Sequence, residues 1–269
     1  FLSIMSHEIR TPLSVVIGLG NILFRQNPRP DQVNNLQVLR TSADNLLSLI
    51  NDILDFSKMD ASKLELENTV FDIRKTVDET YQAISVKANE MDNKMSIYID
   101  PKIPEWVYGD PHRITQVLNN LLSNAVKFTK KGKIRLSLQL ENKSESRCTI
   151  LFSVSDTGIG IEKDKVKHIF TPFSQSSSSI TREFGGTGLG LAITSELLQL
   201  MDSKIKLETE VGRGSNFYFS LDLVYVSAVE DNPTNSEPEE QDLDRAKILL
   251  VEDTPFNILF TTQLLEGWN

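Results

Sequence analysis

Cysteine is nearly absent from this chain, with one residue, Cys148, in 269. That excludes an internal disulfide framework and a zinc site built on cysteine pairs, and it fits a reducing compartment. Long apolar runs are missing too. Nothing approaches the ~18 residues expected of a membrane span, and no signal peptide is visible. Positive charge is not in excess: 28 Lys and Arg face 37 Asp and Glu, a net charge of −9. This balance argues against a nucleic-acid partner. Much of the acidity is local, since Val226 to Asp244 holds seven acids and no Lys or Arg.

What is present is globular in composition, 39% hydrophobic and 24% charged, and long enough for more than one domain. The first residues, "FLSIMS", are already amphipathic, so the chain reads as a fragment of a longer protein. In "MSHEIRTPLSVVIGL" the apolar residues Met5, Ile9, Leu13, Val16 and Leu19 share one stripe of a helix turning ~100° per residue. His7 falls opposite that stripe, where a core histidine would not point, and Thr11 follows one turn later. Pro12 removes a helical hydrogen bond and is expected to bend the helix.

Pro28 and Pro30 end this helix, and a second carries Val33, Leu36, Leu39, Ala43, Leu46, Ile50, Ile53 and Leu54 at spacings of three and four. A hairpin this long cannot cover its own apolar face. Pairing two copies into a four-helix bundle would cover it; packing on its own domain is the alternative. Further along, strands are expected at "TVFDI", "SIYID", "KIRLSLQL", "CTILFSVSD", "KIKLETE" and "SNFYFSLDL". Helices are expected over roughly 74–90, over 111–128 after an Asp-Pro cap, and within "GTGLGLAITSELLQLM". The expected fold is therefore multidomain. An all-α helical hairpin spans 1–67 and an α/β sandwich, a mixed sheet with helices on one face, spans 68–225. An acidic linker follows over 226–245, then a truncated α/β segment over 246–269.

Three constellations carry chemistry. On helix 111–128, Asn120, Asn124 and Lys127 share one face with Arg113 and Gln116, opposite an apolar side. Amide oxygens suit a hard Mg²⁺ that shares its shell with phosphates, and Lys127 offers a point charge for a phosphate. In "SDTGIGI", Asp156 can accept from an exocyclic amine such as that of adenine, while Gly158 and Gly160 let the backbone approach a flat ligand. In "REFGGTGLGLA" glycines run straight into a helix, a junction that presents N–H groups to phosphates. It is neither a Walker A loop nor a Rossmann fingerprint. The polar stretch before it, "TPFSQSSSSITREFGG", reads as a lid. Each motif alone is also compatible with a solvated face or an ordinary turn, but their order makes coincidence a poor account.

These residues together resemble a sensor histidine kinase core of the two-component type, in a hybrid kinase. "FLSIMSHEIRTPL" matches the phospho-acceptor motif and "RITQVLNNLLSNAVKFT" the asparagine box. "DTGIGI", "IFTPFSQ" and "GGTGLGLAI" match the remaining boxes in order. "KILLVEDTPFNILFTTQLLE" is similar to the opening of a receiver domain.

The resemblance implies that His7 takes the γ-phosphoryl group of ATP, that Glu8 orients its ring and accepts its proton, and that Thr11 helps position water in the reverse, phosphatase reaction. It implies Mg²⁺ at Asn124 with Asn120 in support, phosphate at Lys127 and adenine near Phe128 and Asp156. Gly158, Gly160, Gly186, Thr187, Gly188, Leu189 and Gly190 shape the pocket and lid. Glu252 and Asp253 form the receiver's Mg²⁺-holding pair, and the acceptor Asp lies beyond Asn269. Implied partners are a second copy through the hairpin and a receiver domain, its own or a separate regulator. The implied location is cytoplasmic, with the parent anchored or not in the inner membrane.

Departures from the pattern are Ser177 in the lid, and Asp202 and Ser203 where a Gly-Gly turn is usual. Two other readings stay open: a gyrase- or chaperone-type ATPase, which would not need His7 followed by Glu8, and a dimeric scaffold with a degenerate site. His112 and His168 read as exposed or structural, and Cys148 as a core thiol.

Overall fold

Two long helices open the chain, α1 over Leu2–Arg25 and α2 over Pro30–Asp60. The computed structural model describes residues 2–26, 28–60, 64–174, 188–226, 249–251, 258, 261, 262 and 265, with backbone alone at 2–8, 10, 25, 58 and 60. Pro30 takes the first position of α2, where a missing N–H costs nothing, and Asp31 in the first turn suits the positive helix end. Helix α1 continues through Pro12 without a break.

Only a narrow seam of the hairpin is covered. Leu13, Ala43 and Leu54 are buried, and Gly20 lies 3.7 Å from the Leu39 side chain as measured from a Cβ built on the glycine. Ile9, Val16 and Leu23 on α1 stay exposed, as do Leu39, Leu46 and Ile53 on α2. Both rows advance by seven residues, the spacing of a coiled-coil seam.

By contacts the chain forms two compact units, residues 1–58 with 233–269, and residues 59–232. In the second, β1 (Thr69–Asp72) pairs antiparallel with β3 (Trp106–Gly109) as a small separate sheet. Strand β3 was not among the expected elements. It is four residues long, wedged between Pro104 and the Asp110-Pro111 cap, too short to show alternation. Helix α3 (Ile73–Glu90) and strand β2 (Lys94–Ile99) follow, then helix α4 (Pro111–Phe128). Strands β4 (Lys133–Lys143) and β5 (Arg147–Asp156) precede helix α5 (Gly190–Leu200), and β6 (Lys206–Glu210) and β7 (Gly214–Val224) complete the unit.

The main sheet has the order β2-β4-β5-β7-β6, with β2 and β4 parallel and the other pairs antiparallel. This is the expected mixed sheet. Its covered face alternates along the strands: Ile134, Leu136 and Leu138 on β4, Ile150, Phe152 and Val154 on β5, Phe217, Phe219 and Leu221 on β7. Phe152 and Phe219 are register partners and stack at 5.0 Å between centroids. Helix α4 packs on β4 and β5 and touches both α3 and α5. Its buried side is Ile114, Val117, Leu118, Leu121, Leu122, Ala125 and Val126, the side expected from the sequence.

The caps follow from sequence. Asp110 is 5% exposed and accepts from the Arg113 and Glu67 backbone N–H groups, each at 3.0 Å. It starts α4 and also ties down the approach to β1. After α5, Asp202 adopts φ 54° where glycine would be unstrained, and Ser203 Oγ donates to the Ser220 carbonyl at 2.6 Å. The turn closes without glycine because Asp tolerates this region and the serine hydroxyl finds a partner.

Candidate active site

The polar face of α4 is held from two sides. Asn120 Nδ2 donates to Thr194 Oγ1 on α5 at 2.7 Å, and Asn124 Nδ2 donates to Asn120 Oδ1 at 3.3 Å. Gly190 opens α5 directly against this pair, where a Cβ would overlap Asn120 Oδ1. A side chain at position 190 would have to displace the Asn120 amide, and glycine lets the helix start touch it. No side chain caps that helix start, which leaves its N–H groups suited to an anion. Leu189, just before it, is buried. Farther up α4, Arg113 Nη1 donates to Gln116 Oε1 at 2.8 Å, so these two neighbours in the sequence pattern bind each other.

Asp156 ends β5 beside the other end of α4. Its Oδ1 accepts from the Gly158 N–H at 2.7 Å, and the Ser215 backbone donates to the carboxylate as well. Burial nevertheless raises the carboxyl above its ordinary range, because the two backbone donors offset desolvation only in part. Such a group gains from a ligand that donates a hydrogen bond. Gly160 turns the loop with φ +67°, and the Ile159 N–H donates to the Phe128 carbonyl at 3.3 Å.

A second node locks this arrangement. Asn93, 2% exposed, donates from Nδ2 to the Thr129 carbonyl at 2.8 Å and accepts at Oδ1 from the Gly132 N–H at 3.0 Å. The Lys133 N–H donates to Thr157 Oγ1 at 2.9 Å. The end of α4, the turn after it and the Asp156 loop are thus one hydrogen-bonded unit.

Lys127 and Phe128 are half-buried at that junction, with Lys127 Nζ 5.0 Å from the Phe128 ring centroid. Burial, then the charge of Lys87, lowers the Lys127 pKa. An ammonium so placed gains from a phosphate. The Phe173 N–H donates to the Gly188 carbonyl at 3.1 Å, both residues at positive φ.

The structure therefore gathers Asn120, Asn124, Lys127, Phe128, Asp156, Gly158, Gly160, Gly188, Leu189 and Gly190 in one unit. Gly186 and Thr187 lie outside the described residues, as do Glu252, Asp253, Ser177, nearly all of the acidic stretch and most of the tail. His7, Glu8 and Thr11 lie on α1, in the other unit. Of the first two the backbone alone is described, and Thr11 is half-buried. His112 and His168 are exposed and Cys148 is buried, as expected.

Thr194 and Asn93 escaped the sequence reading. A threonine within the apolar run of α5 was a usable signal, since a buried hydroxyl needs a partner. Asn93 sits in "MDNK" and looks like an ordinary turn residue. Among the described residues no three His, Cys, Asp or Glu side chains gather as a metal site. Asn124 supplies one neutral oxygen, which fits Mg²⁺ if phosphates and water complete its shell. No helix among the described residues is long and apolar enough to cross a membrane.

The fold and these motifs define two domains of known type. Residues 109–225 match the family described as histidine kinase-, DNA gyrase B- and HSP90-like ATPases, and residues 1–62 match the His Kinase A (phospho-acceptor) domain. The chain belongs to the two-component sensor histidine kinases.

It is 41% identical over 223 residues to the sensor protein GacS of Pseudomonas syringae pv. syringae, covering 83% of this chain and 25% of that protein. To the signal transduction histidine-protein kinase BarA of Escherichia coli K12 it is 40% identical, covering 83% and 24%. To the autoinducer 2 sensor kinase/phosphatase LuxQ of Vibrio vulnificus it is 39% identical over 264 residues, covering 96% and 30%. The chain thus spans about a quarter of the length of the curated relatives it matches. Among solved structures, full-length ShkA in complex with AMPPNP superposes with a TM-score of 0.68 at 33% identity, covering 84% of this chain and 46% of that one.

Proposed function

We propose that this chain is the catalytic core of an ATP-dependent protein histidine kinase that autophosphorylates at His7 and passes the phosphoryl group to an Asp of a receiver domain. The observation that carries the proposal is one chain holding both an acceptor helix with His7-Glu8 and a sandwich in which α4, the Asp156 loop and the α5 start converge.

Asp156 accepts from the adenine amino group, and Phe128 packs beside the base. Lys127 and the N–H groups around Gly186, Thr187, Gly188, Leu189 and Gly190 receive the phosphates, with Gly158 and Gly160 shaping the floor. Asn124, supported by Asn120, gives an oxygen to Mg²⁺. When bound, that ion neutralises phosphate charge. A neutral imidazole at His7 is a competent nucleophile near pH 7. Its ring nitrogen forms a bond to the γ-phosphorus, the bond from that phosphorus to the bridging oxygen breaks, and ADP leaves. Glu8 orients the ring and takes its proton. The protein's share is positioning and charge, as phosphoryl transfer requires.

The exposed rows Ile9, Val16, Leu23 and Leu39, Leu46, Ile53 support a homodimer through 1–67, because a second hairpin would bury both. Thr11 serves the reverse, phosphatase reaction, an activity that LuxQ carries in its name. Residues 226–245 link the 68–225 nucleotide domain to 246–269, the start of a receiver with Glu252 and Asp253 as its Mg²⁺ pair. The LuxQ match supports this, because it covers 96% of the chain and must run past the acidic stretch. The core works in the cytoplasm, with the parent anchored to a membrane or not.

Incubation with γ-labelled ATP and Mg²⁺ tests the proposal. An acid-labile, base-stable label that disappears in His7→Ala is expected. Nucleotide binding with no label would instead support an ATPase or a core locked in its phosphatase state.

A further inference from the structure

We propose that Thr194 is a positioning residue that orients the Asn120–Asn124 amide pair and so turns the Asn124 oxygen toward the nucleotide-bound cation. This rests on the nucleotide reading above and deepens it. An amide side chain has a donor end and an acceptor end of nearly equal size, so shape does not decide which end faces a ligand. Hydrogen-bond partners do.

Thr194 is 1% exposed and lies 74 residues from Asn120 in sequence. A helical threonine tends to give its own proton to a carbonyl one turn back, which leaves Oγ1 as an acceptor. The Asn120 amide nitrogen donates to that oxygen at 2.7 Å. Its Oδ1 is thereby turned the other way, where it lies against Gly190 and accepts from Asn124 Nδ2 at 3.3 Å. With the Asn124 nitrogen engaged, its oxygen is the end left for a cation. Reversing Asn120 would set two NH₂ groups against each other, and relief would come by reversing Asn124, which would aim an NH₂ at the cation. A hydroxyl on α5 thus sets the ligand chemistry of a residue it does not touch. It also couples the Gly-rich helix to the asparagine helix, so that only a correctly docked α5 leaves Asn124 ready.

The test titrates the whole chain with a non-hydrolysable ATP analogue, once with saturating Mg²⁺ and once with EDTA. Thr194→Val keeps the shape and deletes the acceptor, and Thr194→Ser keeps the acceptor. Thr194→Val is expected to bind about tenfold more weakly with Mg²⁺ and within about twofold of the parent in EDTA, since one hydrogen bond to the network is lost. Thr194→Ser is expected to match the parent in both conditions. Equal weakening in both conditions would show a merely structural role and overturn the inference, as would unchanged binding with Mg²⁺. A parent chain that binds no analogue in either condition would overturn the nucleotide reading itself. Circular dichroism checks folding, and Thr194→Ala carries the same comparison if the valine variant does not fold.

Discussion

Helices α2 and α4 both carry a long apolar stripe, and the two stripes meet different fates. On α4 every residue of the stripe from Ile114 to Val126 is buried against the chain's own sheet and helices. On α2 the seam residues Ala43 and Leu54 are buried while Leu39, Leu46 and Ile53 remain exposed. A sandwich has a second layer to bury its helix. A two-helix hairpin has none, and its surplus apolar surface asks for another molecule. The hairpin leaves apolar surface uncovered, while the second unit buries its own.

The largest expected effect breaks the sandwich side of this comparison. Leu122 is fully buried, and Leu122→Ala is expected to lower the unfolding free energy by about 2–5 kcal/mol through lost transfer energy and a cavity. Chemical denaturation followed by circular dichroism measures it, with oligomeric state unchanged. Next comes the hairpin. Leu46→Asp should weaken dimerisation at least about a hundredfold, since a charge would enter a closed seam. Sedimentation equilibrium measures this, and melting of the 59–232 unit should not move. Dimer strength equal to the parent would mean that something other than a second copy covers the stripe.

The smallest effect on stability concerns Asp156, and it sharpens the contrast between holding a fold and holding a site. Burial raises its folded-state pKa. A carboxyl raised in the folded state stabilises while protonated, fully so below its unfolded value of about 3.9, and loses that contribution as pH rises through the folded value. Once ionised, the group therefore opposes folding. Asp156→Asn should melt slightly higher than the parent at pH 7 and level with it below about pH 4. The same change should weaken adenine-nucleotide binding at least about tenfold, because a charged acceptor becomes a neutral one. A variant that loses stability at pH 7 would show that Asp156 supports the fold rather than opposing it.

Much of this was readable in order along the chain. The Asp110-Pro111 cap, the apolar side of α4 and the alternation of β4, β5 and β7 are local patterns with local causes, so they emerged where expected. The motif residues Asn124, Asp156 and Gly190 were legible for the same reason: each is a residue type at a fixed spacing. Strand β3 was not, because four residues show no period, and it exists only through pairing with β1. The turn at Asp202 looked like a departure. Asp202 takes the left-handed conformation there, and Ser203 bonds to Ser220, a partner that lies on another strand.

The sequence by itself determined which residues share an apolar face, where the helices start, and which chemistry the chain can attempt. These depend on period, cap and residue type, all of which act within a few residues. Only the tertiary structure decided how the amides point and what locks the site. Asn120 meets Thr194 across 74 residues, and Asn93 reaches Thr129 and Gly132 across 36 and 39. Hydrogen bonds are short and directional, so residues distant in the chain acquire this meaning only once packing brings them within 3 Å or so.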